Sequence, residues 1–384
     1  MRFFAFVWKN IVRRKTRSAL TVAGLGVAVA AVVALVGISD GFSRQFKELY
    51  AKRGVDLVVQ RVGSKTEMNN GLPAAMEAPI GKLPGVAEVT GGLMDVVSFP
   101  DHDIPNVIIN GWAPGSPLYN ELKIRPGGRM LKPGDHHKVL VGSVLAANLN
   151  AKVGDTIPLY GEPVEVVGIF DSKQVYESGS IVALLSDMQK FMGRPGQVTG
   201  FMVRTAVPED ASPEQKGAIV AKVRKEIETL DPSHGVAAVP TDEFIDSVGP
   251  IRLSRAVAWA TSAIALLIGG IGMLNTMVMS VYERIREIGT LRAIGWKKVR
   301  VIRMILVESL LLSAAGGAVG ATAAVGLTHA LSRFPETAGL IQGDVAPHVI
   351  LQGFLLAIAI GIGGAIYPAY WGANLQPVEA MRRK

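Results

Sequence analysis

The chain has 384 residues, 49% of them apolar and only 19% charged, with a net charge of +8 and no cysteine. Soluble domains carry about 25% charged residues, so this much apolar side chain requires a non-aqueous environment, which excludes a disordered chain and an ordinary water-soluble enzyme. The lack of cysteine excludes disulfides, thiolate metal sites, iron–sulfur clusters and cysteine nucleophiles.

Residues 1–17 hold six basic side chains (Arg2, Lys9, Arg13, Arg14, Lys15, Arg17) and no acid, and they lead into Ser18–Ile38, 21 residues without a charge. At ~1.5 Å rise per residue, about 20 residues cross a ~30 Å hydrocarbon core, so 18–38 is expected to span a membrane. It exceeds the roughly 7–15 apolar residues of a signal peptide and ends in no small-x-small cleavage site, which predicts an uncleaved signal-anchor. Three more stretches meet the same criterion: 256–281, 304–331 with Glu308 as its only charge, and 348–370.

Between the first two spans lies segment 39–255. Gly41–Arg53 reads as an outward extension of the first span. Asp56–Val62 reads as a strand, Pro73–Leu83 as a helix or turn-rich segment, and Val86–Phe99 as a strand broken at Gly91–Gly92. Val198–Arg204 and Gly235–Val239 read as strands on either side of an amphipathic helix, Ser212–Leu230. Two strand–helix–strand units thus flank a middle region, about 107–197, in which glycine and proline turns separate short strands at Val107–Trp112, Lys138–Val141, Thr156–Tyr160 and Val164–Phe170. The expectation is a split α+β domain with a β-rich insertion. Thr241 and Asp242 are good cap residues for a helix that runs on to Val281 with Gly249–Pro250 as its only strong breaker, so the second span is expected to begin as a stalk.

Lysine and arginine sit on the side that faces the cytoplasm. Segments 1–17, 282–303 and 371–384 together carry +13, whereas 39–255 carries −3 and the short loop 332–347 carries −1. Both termini and the 282–303 loop are therefore expected to be cytoplasmic, with 39–255 outside. The positive charge reports membrane orientation, and no large basic domain remains for nucleic acid. The expected fold is a membrane α-helical protein with four transmembrane helices and a large extracytoplasmic α+β domain on a helical stalk.

Chemistry-bearing motifs are scarce. The six histidines show no HExxH spacing; the Asp135-His136-His137 turn and the Asp101-His102-Asp103 loop read as solvated turns ahead of metal sites. There is no GxSxG, no GxxxxGK[ST] and no GxGxxG after a strand, since Gly24 and Gly26 lie inside the first span. No catalytic residue and no metal site are assigned, and the chain shows no means of binding ATP. Glu308, one turn into its span and near Arg300 and Arg303 in sequence, reads as a snorkelling or paired carboxylate, with a transport role as the alternative. Gly316-x-x-x-Gly320 permits close helix approach, either within the chain or between copies.

The 280–303 stretch, SVYERIREIGTLRAIGWKKVRVIR, is the most informative. Ile285, Ile288, Leu291 and Ile294 recur at spacing three and predict an apolar stripe on a short helix, with Glu283, Arg284, Arg286, Glu287 and Arg292 around it. Gly289 and Gly295 punctuate it. Such a helix lies on membrane lipids or docks in the groove of a soluble partner.

With these residues the chain resembles the MacB-like/FtsX-like permeases of ATP-binding-cassette (ABC) systems over nearly its whole length. NIVRRKTRSALTVAGLGVAVA is similar to their basic lead-in and first span, VYERIREIGTLRAIGW to their loop after the second span, and YPAYWGANLQPVEAMR to their closing segment, apart from Trp371-Gly372, where relatives often carry basic residues. The resemblance implies a homodimer of four-span subunits in a bacterial inner membrane, each seated on a separate cytoplasmic ATPase that binds ATP and magnesium. It implies that Glu283, Arg284, Glu287, Ile288, Gly289, Arg292 and Gly295 form the coupling helix on that ATPase. Some relatives use a periplasmic adaptor (a membrane fusion protein) and an outer-membrane channel. Three functions follow: the permease subunit of an ATP-driven exporter or extractor of a hydrophobic or amphipathic substrate (drug, peptide, lipid or lipoprotein), an FtsX-type signalling subunit regulating a cell-wall hydrolase, or a membrane-anchored sensor or enzyme acting alone.

Overall fold

The computed structural model describes residues 12–13, 15–61, 71–120, 122–172, 175–208, 210–230, 235–333 and 343–376. The first 11 residues, most of the 332–347 loop and the closing PVEAMR segment lie outside these. The chain divides into two units, residues 43–252 and residues 1–42 with 253–384.

The α+β unit begins on the last turns of helix α1 (Lys15–Lys52). Gly54 takes a left-handed backbone with φ +66°. It closes the helix with bonds from Gly54 N–H to the Ala51 carbonyl and from Val55 N–H to the Tyr50 carbonyl, 3.0 Å each; the missing Cβ makes that conformation inexpensive. Strand β1 (Leu57–Arg61) follows. It is flanked antiparallel by β11 (Gly200–Thr205) and β12 (Val236–Pro240). Leu57, Val59, Phe201, Val203 and Ala238 point to one face and pack with Ile80 of the short helix α2 (Glu77–Gly81) and with Val223 and Ile227 of α6 (Pro213–Leu230). Those two α6 residues are one turn apart, so the 3.6-residue period presents them as one ridge.

Strand β3 (Val86–Phe99) runs without interruption through Gly91–Gly92, where the sequence suggested a break. The glycines mark a change of partner. Val86–Gly92 pairs with β11, and Gly92–Phe99 pairs with β4 (Ile104–Trp112). Gly92 faces Gly200 in one ladder and Trp112 in the other. A Cβ on Gly91 would sit 3.1 Å from the Phe201 ring and 3.2 Å from Val198, so a larger residue there would need these side chains to shift by a few tenths of an ångström.

Beyond β4 the sheet continues through β9 (Ile181–Leu184), β6 (Lys138–Gly142), β8 (Glu162–Asp171) and β5 (Lys123–Ile124), with β7 (Thr156–Leu159) on β8. Apart from this sheet, β2 (Leu72–Pro73) pairs antiparallel with β10 (Gln197–Val198), and the one-turn helix α4 (Val175–Ser178) precedes β9. The β-rich part is therefore not a separate sheet but the second half of one ten-stranded sheet. Alternate residues fill the two faces. Ile109, Val139, Val141, Ile181 and Ala183 pack under α3 (Ser143–Leu149) and α5 (Leu185–Phe191). Leu140, Val182, Leu184, Phe170 and Trp112 pack on the other side with Leu118 and Tyr119. Thr241 does not cap α7 (Thr241–Ser247); its hydroxyl donates to the Val55 carbonyl at 2.8 Å, tying the helix start to the end of α1.

The helical unit holds the membrane part of α1, then α8 (Gly249–Glu283), the short α9 (Ile285–Ala293), α10 (Lys298–Leu331) and α11 (Pro347–Asn374). Four of these are long and apolar enough to cross a membrane. Their contacts run through small residues. Gly316 and Gly320 lie against Val22, Leu25, Gly26 and Val29 of α1, and Gly317 lies against Phe354 and Ala357 of α11. The Gly-x-x-x-Gly pair thus serves packing inside the chain. Leu253, Val257, Ile264, Leu267, Ile268 and Ile271 of α8 remain more than half exposed, as expected for side chains that meet lipid.

Phe201 is fully buried between β1 and the Gly91 backbone. Phe201→Ala is expected to destabilise the α+β unit by about 3–5 kcal/mol, read as a lowered thermal unfolding midpoint of the detergent-solubilised chain.

Candidate functional site

The 280–303 stretch folds as three pieces. Arg284, at φ −110° and ψ 11°, interrupts the helix after Glu283, and α9 sets off in a new direction. Gly295, at φ +100°, ends it, with Gly295 N–H bonded to the Arg292 carbonyl at 3.1 Å and Trp296 N–H to that of Leu291 at 3.0 Å. Only glycine adopts this φ without strain, so the turn into α10 depends on it.

Ile285 and Ile288 face inward and are buried, but Leu291 is half-buried and Ile294 is 70% exposed. The spacing-three stripe fails for a geometric reason. Each three-residue step on a 3.6-residue helix falls about 60° short of a full turn, so three steps rotate the side chain to the opposite face. Ile288 inserts among Val281, Val301, Met304, Ile305, Ala369 and Ala373, which seats α9 on the ends of α8, α10 and α11. Gly372 lacks the Cβ that would meet Val281 at 2.6 Å, and Trp371 stacks on Tyr282 with centroids 5.9 Å apart. The two residues that depart from the family's basic pattern are therefore packing residues at this base.

Arg284 is not a surface residue, as the sequence pattern suggested, but is buried together with Glu308. Its Nη1–H donates to Glu308 Oε2 at 2.6 Å, and its Nε–H reaches Glu287 Oε2 at 3.4 Å. Glu308 Oε1 accepts from the Ser280 hydroxyl at 3.4 Å. Arg17 of α1 donates to Ser280 Oγ and to Glu283 Oε2, both at 2.9 Å. One network therefore ties α1, α8, α9 and α10. The lone acid of the third span belongs to it, paired with Arg284 instead of Arg300 or Arg303. Arg300 lies over the Trp296 ring, 4.4 Å from its centroid, and Arg303 is exposed.

Of the predicted site residues, Arg284, Ile288 and Gly289 are buried in the base. Arg292 is half-buried, with Nη1–H donated to the Trp296 carbonyl at 2.8 Å. Glu283, Glu287 and Gly295 are exposed, and with Arg286, Thr290, Ala293 and Ile294 they present a mixed-charge surface. This arrangement holds an exposed mixed-charge face on a buried apolar floor; it contains no nucleophile–base pair.

The other candidates resolve into structural turns. Asp135 receives Arg129 Nη1–H at 2.5 Å and Nη2–H at 2.9 Å, and the Lys132 N–H at 2.8 Å. These bonds, Arg129 first, lower its pKa to about 2. His136 Nδ1 lies 2.7 Å from the buried Asp187, whose other oxygen accepts the His137 N–H. Among the described residues no group of three His, Asp or Glu side chains is placed to hold a metal ion.

Two tests follow from this geometry. Arg284→Ala leaves a buried, unpaired carboxylate and is expected to destabilise the helical unit by about 3–5 kcal/mol, whereas Arg284→Met with Glu308→Leu is expected to recover most of that loss in thermal melts. Asp135, with a pKa depressed in the folded state, stabilises the fold fully above about pH 4 and loses that contribution as pH falls towards 2. Asp135→Asn is therefore expected to lower stability at pH 7 and to match the parent near pH 2 in urea titrations.

Comparison with known proteins bears on the same residues. The MacB-like periplasmic core domain family matches residues 18–224, and the FtsX-like permease C-terminal family matches residues 259–377. An uncharacterized ABC transporter permease of Methanocaldococcus jannaschii is 25% identical over 98% of this chain and 96% of its own length. The uncharacterized ABC transporter permease YknZ of Bacillus subtilis is 24% identical over 97% and 96%. The macrolide export ATP-binding/permease protein MacB of Hyphomonas neptunium is 27% identical over 95% of this chain, which spans 58% of that protein. Among solved structures, the periplasmic region of MacB from Actinobacillus actinomycetemcomitans aligns with 51% of this chain and 94% of its own, at 14% identity and a TM-score of 0.38. With both family domains in order along one chain, this protein belongs to the MacB-like/FtsX-like permeases of ABC transporters.

Proposed function

We propose that this chain is the permease subunit of an ATP-driven exporter or extractor in a bacterial inner membrane, with both termini and α9 in the cytoplasm and the α+β unit outside. Membership of the ABC permease family implies a cytoplasmic ATPase partner. The observation that carries the finer reading is the exposed face of α9, Arg286, Glu287, Thr290 and Ala293, held on a floor of Ile285, Ile288 and the Arg284–Glu308 pair. A mixed-charge helical face on a fixed base suits insertion into a groove of a soluble partner. In this reading ATP hydrolysis in the partner displaces α9, and the network to α1, α8 and α10 passes the displacement to the α+β unit, where a hydrophobic or amphipathic substrate is moved. The long helices carry little polar surface in their apolar spans, which fits work done outside the membrane better than passage through a channel. The working unit is a homodimer, with an adaptor and an outer-membrane channel as further partners.

The test is affinity purification of the tagged chain from gently solubilised native membranes. An ATPase subunit is expected to co-purify, and Gly289→Pro, which removes a helical hydrogen bond in the middle of α9, is expected to abolish its recovery. Retention of an active ATPase by that variant would refute the role given to α9. A cell-wall hydrolase recovered with the ATPase would favour an FtsX-type regulator over an exporter.

A further inference from the structure

The outer end of α1 carries a buried ion pair that the coupling site does not use. The Arg53 and Glu177 side chains are 6% and 5% exposed and form a direct salt bridge. Glu177 is fixed in turn by the Ser172 hydroxyl, which donates to its Oε2 at 2.7 Å. Arg53 also lies over the Trp112 ring, 5.2 Å from its centroid, and its Nη2 reaches the Leu118 carbonyl at 3.4 Å. A buried pair without exact partners is expensive to keep; here the guanidinium has an anion, a carbonyl and an aromatic face.

Where this pair sits gives it meaning. Trp112 is the residue paired with Gly92, the point at which β3 exchanges β11 for β4. The two halves of the sheet meet there along one strand through two successive glycines, braced locally by Met94 N–H donated to the Thr199 hydroxyl at 2.9 Å and by Met202 and Leu185, but, among the described residues, by no other charge pair that reaches the end of α1. Other residues at the end of α1 bind elsewhere: Lys47 pairs with Asp246 at 3.1 Å and Tyr50 packs on Phe244, both of α7. Arg53 reaches the β-rich half directly, through Glu177, Leu118 and Trp112.

We propose that Arg53 and Glu177 form a clamp that fixes the β-rich half of the sheet to the end of α1 across the Gly91–Gly92 junction, so that the half follows the helix. Its use in transport rests on the function proposed above; its existence does not. Without the clamp, the β-rich half pivots on β3 while the half built on β1, β11 and β12 stays attached to α1 through the chain itself.

Because the chain contains no cysteine, introduced cysteines label uniquely. The full chain in lipid nanodiscs, with spin labels at Lys52→Cys and Lys152→Cys, reports the distance from the end of α1 to the β-rich half. Labels at Lys52→Cys and Lys222→Cys report the distance to α6. With the labelled chain diluted into an excess of unlabelled chain, so that each dimer carries at most one labelled protomer, both pairs are expected to give one narrow distance without nucleotide. Arg53→Ala is expected to broaden the first into several populations and leave the second narrow. Broadening of both would mean general loosening and would overturn the clamp, as would a narrow first distance in the variant. If Arg53→Ala does not fold, Arg53→Met with Glu177→Met keeps the volume apolar, and the same two distances decide. A wild-type chain co-purified with its ATPase that shows no change on adding ATP and vanadate would count against the transport role alone, because the clamp is read without nucleotide.

Discussion

The arrangement of the helical unit depends on one buried charge pair. A carboxylate in an apolar helix is stable only when a cation and further donors reach it, and Glu308 receives Arg284 and Ser280. Arg284 can deliver its guanidinium there because α8 stops at Glu283 and the chain turns. The pair, the helix break at Arg284 and the burial of Ile288 against Val281, Val301, Met304 and Ile305 therefore fall at one place. Glu283, one residue earlier, faces Arg17, so neighbouring acids and bases of the Glu283-Arg284 dipeptide bind two different helices.

Away from this end the helices are held by a different kind of contact. Lipid removes the hydrophobic drive between helices, leaving close packing of small residues as the main source of attraction. The glycines and alanines of α10 and α11 supply it, and few polar bonds cross between spans; Ser309, which donates to the Gly361 carbonyl, is one. Two buried arginines with carboxylate partners stand out: Arg284 with Glu308 where α9 sits, and Arg53 with Glu177 next to the end of α1 in the α+β unit.

The sequence made some of this legible. Apolar runs announced the four long helices, because length and lack of charge are local properties. The family pattern marked the α9 stretch, and Gly249–Pro250 marked a real boundary between α7 and α8. What escaped was set by partners distant in the chain. Nothing around Glu308 indicates Arg284, 24 residues away and around a turn. Gly91–Gly92 looked like a strand break because glycine lowers strand propensity, but ladders on both sides hold the backbone extended. Strand β9, the four-residue run Ile-Val-Ala-Leu, has no alternation to betray it, since both of its faces are buried. Glu177 gave no signal at all; only the fold brings it to Arg53.

The small-residue surface of α10 has one more consequence. Ridges of large side chains interdigitate and fix both the separation and the axial register of two helices. Gly316, Gly320 and Ala324 give α1 a row of notches instead, with Leu25 of α1 against Gly316 and Val29 against Gly320. The knobs of this contact all lie on α1 and the holes all on α10, so a larger residue at either glycine would part the two helices before it altered either one.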